Sequence, residues 1–280
     1  MKIRYKKIVF EAEKGITFQI CDGKDGELII RAVNIDTEKE YSDNYVKPPV
    51  FNGYKHICGE WYNGFVIERE TDGSQFVWVP VGSLDTDGTL DGKEFLERFG
   101  RRNYYADNFL NNKFYEILEG ELLEQFESTK LYGGFYISRY NISKGADERP
   151  ISVEGHMPWV DIDFMDAMKV ASSMESNDQI KSHLTFGAEY DSVLAWFIKT
   201  NESTILETEI GKEGYINNVY FLDNIDEWTQ EHKGTSYRVI RGSNFSNNQK
   251  RYHPFNRDYC LTDEYSSSLG FRVTLCIRKQ

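Results

Sequence analysis

No stretch of this 280-residue chain is apolar for long enough to cross a bilayer, and the start, Met1 to Gly15, is charged throughout without a secretory apolar region. The expectation is a protein made and kept in the cytoplasm, with no membrane insertion. Cysteine is scarce: Cys21, Cys58, Cys260 and Cys276 are far apart and form no Cys-x-x-Cys pair, which argues against a zinc site or a disulfide framework and for free buried thiols. The histidines, His56, His156, His183, His232 and His253, never stand at a zinc-binding spacing with a neighbouring Glu base. Gly-rich phosphate loops of either type are missing, as is a Gly-x-Ser-x-Gly elbow. No Lys/Arg cluster interrupts a formal charge of -12, so nucleic-acid phosphates are repelled on average and are not an expected partner. The acid pairs Asp161/Asp163 and Glu189/Asp191 open predicted helices, where capping and the helix dipole already account for a carboxylate.

What is present points to a folded globular protein: 40% hydrophobic residues, 15% aromatics, and enough length for a substantial core. Short strands over Ile3 to Phe10, Ile16 to Ile20 and Glu27 to Val33, separated by Glu/Lys/Gly and Asp/Gly turns, read as a small N-terminal β unit. A polar connector with Pro48-Pro49 follows, so residues 1–58 are expected as β unit and connector and 59–280 as the main domain. Trp61 to Glu68 and Phe76 to Pro80 are the next strands. Phe114, Ile117, Leu118, Leu122, Leu123 and Phe126 recur at helical spacing and are expected to face a core. Helices are also predicted over Asp161 to Met174, capped by Asp161 or Asp163, and over Ala188 to Lys199, with Tyr190, Val193, Leu194 and Phe197 along one face.

The loop Ser83 to Glu94 can be laid on a twelve-residue calcium loop, with Asp85, Asp87, Asp91 and Glu94 at ligand positions, although Ser83 replaces the first Asp and Asp and Gly are ordinary turn formers. The last fifth of the chain is organised differently. Strand-like runs around Trp228, Val239 and Val273 frame residues Asn244 to Ser268, which hold four Asn, four Ser and three Tyr. That mixture suits a recognition surface, with tyrosines supplying amphipathic area and Asn and Ser adaptable hydrogen bonds. The candidate ligand-binding residues are Asn244, Ser246, Asn247, Asn248, Lys250, Arg251, Tyr252, Phe255, Asn256, Arg257, Tyr259, Tyr265, Ser266 and Ser267. Trp228 is expected in the core, and Arg272 is expected to pair inside with an acid such as Glu227.

Six ordered motifs carry a resemblance: Phe135-Tyr136-Ile137-Ser138-Arg139-Tyr140, Met157-Pro158-Trp159-Val160, His183-Leu184-Thr185-Phe186-Gly187, Asn224-Ile225-Asp226-Glu227-Trp228-Thr229, Arg241-Gly242-Ser243-Asn244-Phe245 and Gly270-Phe271-Arg272-Val273. Over roughly Phe65 to Leu275 the chain resembles the formylglycine-generating enzyme (sulfatase-modifying factor) family. The resemblance implies an α+β, C-type lectin-like fold with a twisted antiparallel sheet, two helices and long loops. Active members carry a copper-binding cysteine pair shortly after the Arg-Gly-Gly-Ser-aromatic strand, because thiolates hold Cu(I). Here Asn247 and Tyr252 stand at about those places, which implies no enzymatic activity. The chain is similar to non-catalytic phage and prophage tail-associated members. It is also similar to variable proteins of diversity-generating retroelements, whose hypervariable segment occupies the interval held here by Asn244 to Ser268.

The implied function is display of residues 244–268 to a host-surface protein or glycan by a virion- or tail-associated protein, with other phage tail proteins or further copies of the chain as additional partners. No cofactor is required on this reading. A structural Ca2+ is allowed either near the Glu-Trp motif, at Ile225 and Glu227, or in the Asp85 to Glu94 loop. The alternatives are a metal-dependent oxidoreductase of the formylglycine-generating type with altered ligands, and a structural assembly subunit.

Overall fold

The computed structural model describes residues 16–22, 28–34, 47–81, 114–116, 118–207, 214–221, 225–242 and 257–279. The strand expected at Ile3 to Phe10 and the loop carrying Asp85, Asp87, Asp91 and Glu94 lie outside them. The fold is mixed α+β, mostly sheet with three helices among the described residues. Strands β1 (Ile16–Asp22) and β2 (Leu28–Asn34) pair antiparallel, from Ile16 opposite Asn34 to Asp22 opposite Leu28.

The central sheet has six antiparallel strands: β3 (Tyr54–Cys58), β4 (Val66–Arg69), β5 (Gln75–Pro80), β7 (Gly134–Ser138), β10 (Ile180–Leu184) and β17 (Val273–Ile277), in the spatial order β10-β17-β7-β5-β4-β3. Its central strands are apolar on both sides because both sides are covered. Phe76 and Trp78 of β5 join Tyr136 and Leu275 in one core, whereas Val77 and Val79 join Phe135 and Ile137 in the other. The first core is closed by helix α2 (Phe164–Ser173), the second by α1 (Gly120–Tyr132) and α3 (Gly187–Glu207).

Each helix follows from local chemistry. Asp163 caps α2 by accepting from Asp166 N at 2.8 Å, and Phe164, Ala167 and Ala171 turn one face inward; burial of Phe164 alone is worth about 1.5–3 kcal/mol. On α3, Tyr190, Val193, Leu194 and Phe197 are buried as expected, but the helix runs on to Glu207. On α1, Leu122 and Phe126 face the core, whereas Leu123 (40% exposed) does not, and Leu118 (36% exposed) lies ahead of the helix. Leu123 was expected to pack, but it lies about 100° around the helix from Leu122 and cannot share its face. Gly133, at φ 74°, ends α1 with its N–H on Thr129 O at 2.8 Å.

Tyr54–Cys58 is an edge strand of the central sheet, and Phe51 and Tyr54 lie in its core. The main body therefore begins before the boundary expected between 58 and 59. Pro48-Pro49, read as a connector, is tied to the sheet instead: Pro48 is buried, and Tyr136 Oη donates to Pro49 O at 3.0 Å.

A second sheet joins β13 (Asp226–Lys233), β14 (Tyr237–Gly242), β15 (Arg257–Leu261) and β16 (Leu269–Phe271) in the order β15-β14-β13-β16, with β6 (Phe114–Tyr115) also on β13. The β13/β16 pair is parallel, placing Glu227 beside Gly270 and Trp228 beside Phe271. Short pairs β8/β9 (Ser143–Lys144, Pro150–Ile151) and β11/β12 (Gly214–Ile216, Val219–Phe221) complete the described elements. Cys58, Cys260 and Cys276 form no disulfide; Cys276 is buried as expected, whereas Cys58 and Cys260 are half-buried.

Candidate ligand-binding face

Strand β14 leads into residues 243–256 and β15 leads out of them, so the first question is what holds those two strand ends together. Arg241 and Arg257 stand directly opposite each other across the β14/β15 ladder, both fully buried. Two like charges so placed repel. Asp191, buried on the second turn of α3, resolves this by lying between them: its Oδ1 is 3.0 Å from Arg241 Nη2, and its Oδ2 accepts from Arg257 Nη2. Glu231 Oε2 takes Arg257 Nε at 3.2 Å, and the Arg241 guanidinium also lies 4.8 Å from the Tyr190 ring centre. Arg257 was expected as a donor to ligand. It is instead an interior strut, because its strand position faces α3 and the carboxylates waiting there.

A second buried guanidinium fixes the other side of the frame. Arg272 Nε donates to Glu227 Oε1 at 2.8 Å, its Nη1 donates to the carbonyls of Ser138 (3.0 Å) and Arg139 (3.1 Å), and its Nη2 donates to Tyr220 O. Asn141 Nδ2 donates to the same Glu227 oxygen at 3.0 Å. The expected Arg272–Glu227 pair is present, and Trp228 is fully buried with Nε1 donating to Ile162 O at 3.0 Å. The Glu227 carboxylate thus already faces a guanidinium. Its Oε2 has no hydrogen-bond partner, and with carbonyls such as Ile225 O it is the oxygen left for the calcium expected there. Among the described residues no group of three or more His, Cys, Asp or Glu is arranged to hold a metal.

Of the candidate binding residues, Asn244, Ser246, Asn247, Asn248, Lys250, Arg251, Tyr252, Phe255 and Asn256 lie outside the described residues. Tyr259 is 37% exposed on β15, in edge contact with Tyr237 at 5.4 Å and beneath the Lys233 ammonium. Tyr265 projects furthest, at 69% exposed. Ser267 is exposed, whereas Ser266 is half-buried and structural: its carbonyl accepts from Asp161 N at 3.0 Å and its hydroxyl lies 3.0 Å from Ser268 Oγ.

The Ser266 contact brings Tyr265 to a stretch that sequence reasoning treated only as motif and helix cap. Residues 159–164 are pinned at every second residue or closer. Trp159 N donates to Ile142 O at 2.6 Å, Asp161 N to Ser266 O, Phe164 N to Thr262 O at 3.3 Å, and Ile162 O accepts from Trp228. Asp161 adopts φ 54°, a left-handed conformation that Asp tolerates better than most residues. Trp159 packs on Phe271 at 6.4 Å with the Lys144 ammonium 4.6 Å from its ring centre. Trp159, Asp161, Lys144 and Tyr265 line an open cleft of about 510 Å³ beside the start of α2. The Pro158-Trp159 pair was the one available signal for this cleft in the sequence.

Buried ionisable groups elsewhere serve the frame. His183 Nε2 lies 2.9 Å from Glu189 Oε1, both fully buried, while Glu189 Oε2 accepts from Phe186 N at 2.8 Å. Burial opposes charge on the ring, but the Glu189 carboxylate prevails and holds the His183 pKa above its usual value. Burial pushes the Cys260 thiol up to about 12, assisted by Glu264, and the Cys276 thiol up to about 11. Neither sulfur has the lowered pKa of a reactive thiolate. Comparison with protein-family models, with curated proteins and with solved structures finds no match for this chain.

Proposed function

We propose that this protein is a non-catalytic ligand-binding protein of C-type lectin-like, formylglycine-generating-enzyme-like type, a phage or prophage tail-associated receptor binder that displays residues 244–268 to a host-surface protein or glycan. The observation that supports this reading most is the division of labour around that segment. Arg241 and Arg257, which flank residues 243–256, are held in the interior beside Asp191, while further along the segment Tyr259 is partly and Tyr265 largely exposed. Locking the base in the core lets the outer side chains vary in chemistry with little effect on the frame, which is the arrangement recognition by exposed aromatics needs.

Glycan and protein arrays probed with the purified full chain test the reading. Specific signal is the expected outcome. Bound copper together with turnover of a cysteine-containing sulfatase peptide would replace it with the oxidoreductase alternative.

A further inference from the structure

The cleft at Trp159 offers a set of groups that narrows the ligand. Asp163 is occupied in capping α2, and Asp166 holds Lys169 at 2.8 Å. Among the described residues this leaves two charged groups that neither cap the helix nor pair with an opposite charge: the exposed Asp161 carboxylate and the Lys144 ammonium above the Trp159 ring. One acceptor-only group and one donor-only group therefore flank an aromatic surface, with the Tyr265 hydroxyl able to do both. The backbone beneath is fixed before any ligand arrives, by the hydrogen bonds of Trp159, Asp161, Ile162 and Phe164. A left-handed Asp at such a cleft is the kind of conformation that clusters at ligand clamps.

We propose that this cleft binds a neutral saccharide ring, its apolar face against Trp159 and Tyr265 and its hydroxyls donating to Asp161 and accepting from Lys144. The cleft volume, about 510 Å³, lies within the roughly 300–1,000 Å³ common for small-ligand sites. An acidic sugar would meet the unpaired Asp161 carboxylate, and an amino sugar the unpaired Lys144 ammonium. A neutral ring uses donor and acceptor together. An all-apolar ligand would strand both charges, which is costly. The inference rests on the ligand-binding reading above and specifies its chemistry at one place outside residues 244–256.

The test uses the full chain with methyl glucoside, methyl galactoside and N-acetylglucosamine, read by tryptophan fluorescence and by ligand-observed NMR. Trp78, Trp196 and Trp228 are buried, so a fluorescence response reports chiefly on Trp159 and Trp61. At least one neutral sugar should bind with a Kd on the order of millimolar, and N-acetylneuraminic acid and glucosamine should bind roughly tenfold more weakly. Asp161→Asn keeps a residue that tolerates the left-handed backbone, and Lys144→Met keeps the aliphatic stem over the ring. Each should weaken binding about tenfold with an unchanged melting temperature. No binding by any of the three neutral sugars, stronger binding of a charged sugar, or wild-type affinity in both variants would overturn the proposal. Array signal lost in Tyr252→Ala or Tyr259→Ala but intact in Asp161→Asn would also overturn it, while leaving the display reading in place.

Discussion

Removing the Asp191 carboxylate takes the one anion from between two buried guanidiniums, Arg241 and Arg257. Asp191→Ala leaves Arg241 and Arg257 side by side on adjacent strands, both fully buried, with Glu231 still beside Arg257 but the carboxylate that pairs with Arg241 gone. Breaking a buried pair by deleting one partner costs about 3–5 kcal/mol, because the remaining charge is neither solvated nor paired. Asp191 serves two guanidiniums, which pushes the cost up, and Glu231 retains part of the compensation, which pulls it down, so about 3–5 kcal/mol is a fair figure for the whole. Against total stabilities of about 5–15 kcal/mol that is about a fifth or more, and at about 2–4 °C per kcal/mol it amounts to a melting shift on the order of 10 °C. Urea unfolding at fixed pH is the assay: the midpoint should fall with an unchanged slope. Adding Arg241→Met to Asp191→Ala should recover part of the loss, because it removes the guanidinium left without a carboxylate. A midpoint for Asp191→Ala indistinguishable from wild type, or a double variant weaker than the single, would refute the reasoning.

Two further outcomes follow from the interior. The His183 pKa is raised in the folded protein by Glu189, with Glu121 adding and Lys181 opposing, so the stabilisation is complete below the unfolded value near 6.5 and is lost as pH rises through the folded value. Urea midpoints should therefore decline from about pH 6.5 toward 8, below the range where unfolded thiols titrate, and His183→Gln should flatten that decline. Gly134→Ala should cost about 1–3 kcal/mol or more by overpacking, since an added Cβ would lie 2.6 Å from Trp78 Cζ2 and closer still to Val79 O; wild-type stability in that variant would contradict the packing described for β5 and β7.

Much of the frame was readable from local pattern. The Asp163 cap and the Phe164/Ala167/Ala171 spacing announce α2, the unbroken run Phe76 to Val79 announces a strand buried on both faces, and Trp228 and the Arg272–Glu227 pair lie where expected. What the sequence hid is pairing over long separations. Asp191 reads as an ordinary carboxylate near a helix start, yet it meets Arg241 and Arg257 fifty and sixty-six positions away, and nothing local distinguishes it from Glu189, which does cap its helix. Arg257 sits in a polar, Tyr-rich stretch and looks like a surface donor until strand register turns it inward opposite Arg241. Tyr265 could be read as exposed, but its neighbours Trp159, Asp161 and Lys144 come from a segment more than a hundred residues earlier, brought there by the hydrogen bond from Asp161 N to Ser266 O. Leu123 failed for a smaller reason: a run of two leucines fits a stripe by count, but the helix can bury only one of them.

Exposed aromatics carried by a frame that does not depend on them are the core of the proposed function. The most direct measurement compares the wild-type chain with the Tyr259→Ala/Tyr265→Ala double variant on the same glycan and protein arrays, with melting temperatures recorded for both. Matching melting temperatures and loss of the array signal are expected; undiminished signal from the folded double variant would show that these rings do not carry recognition.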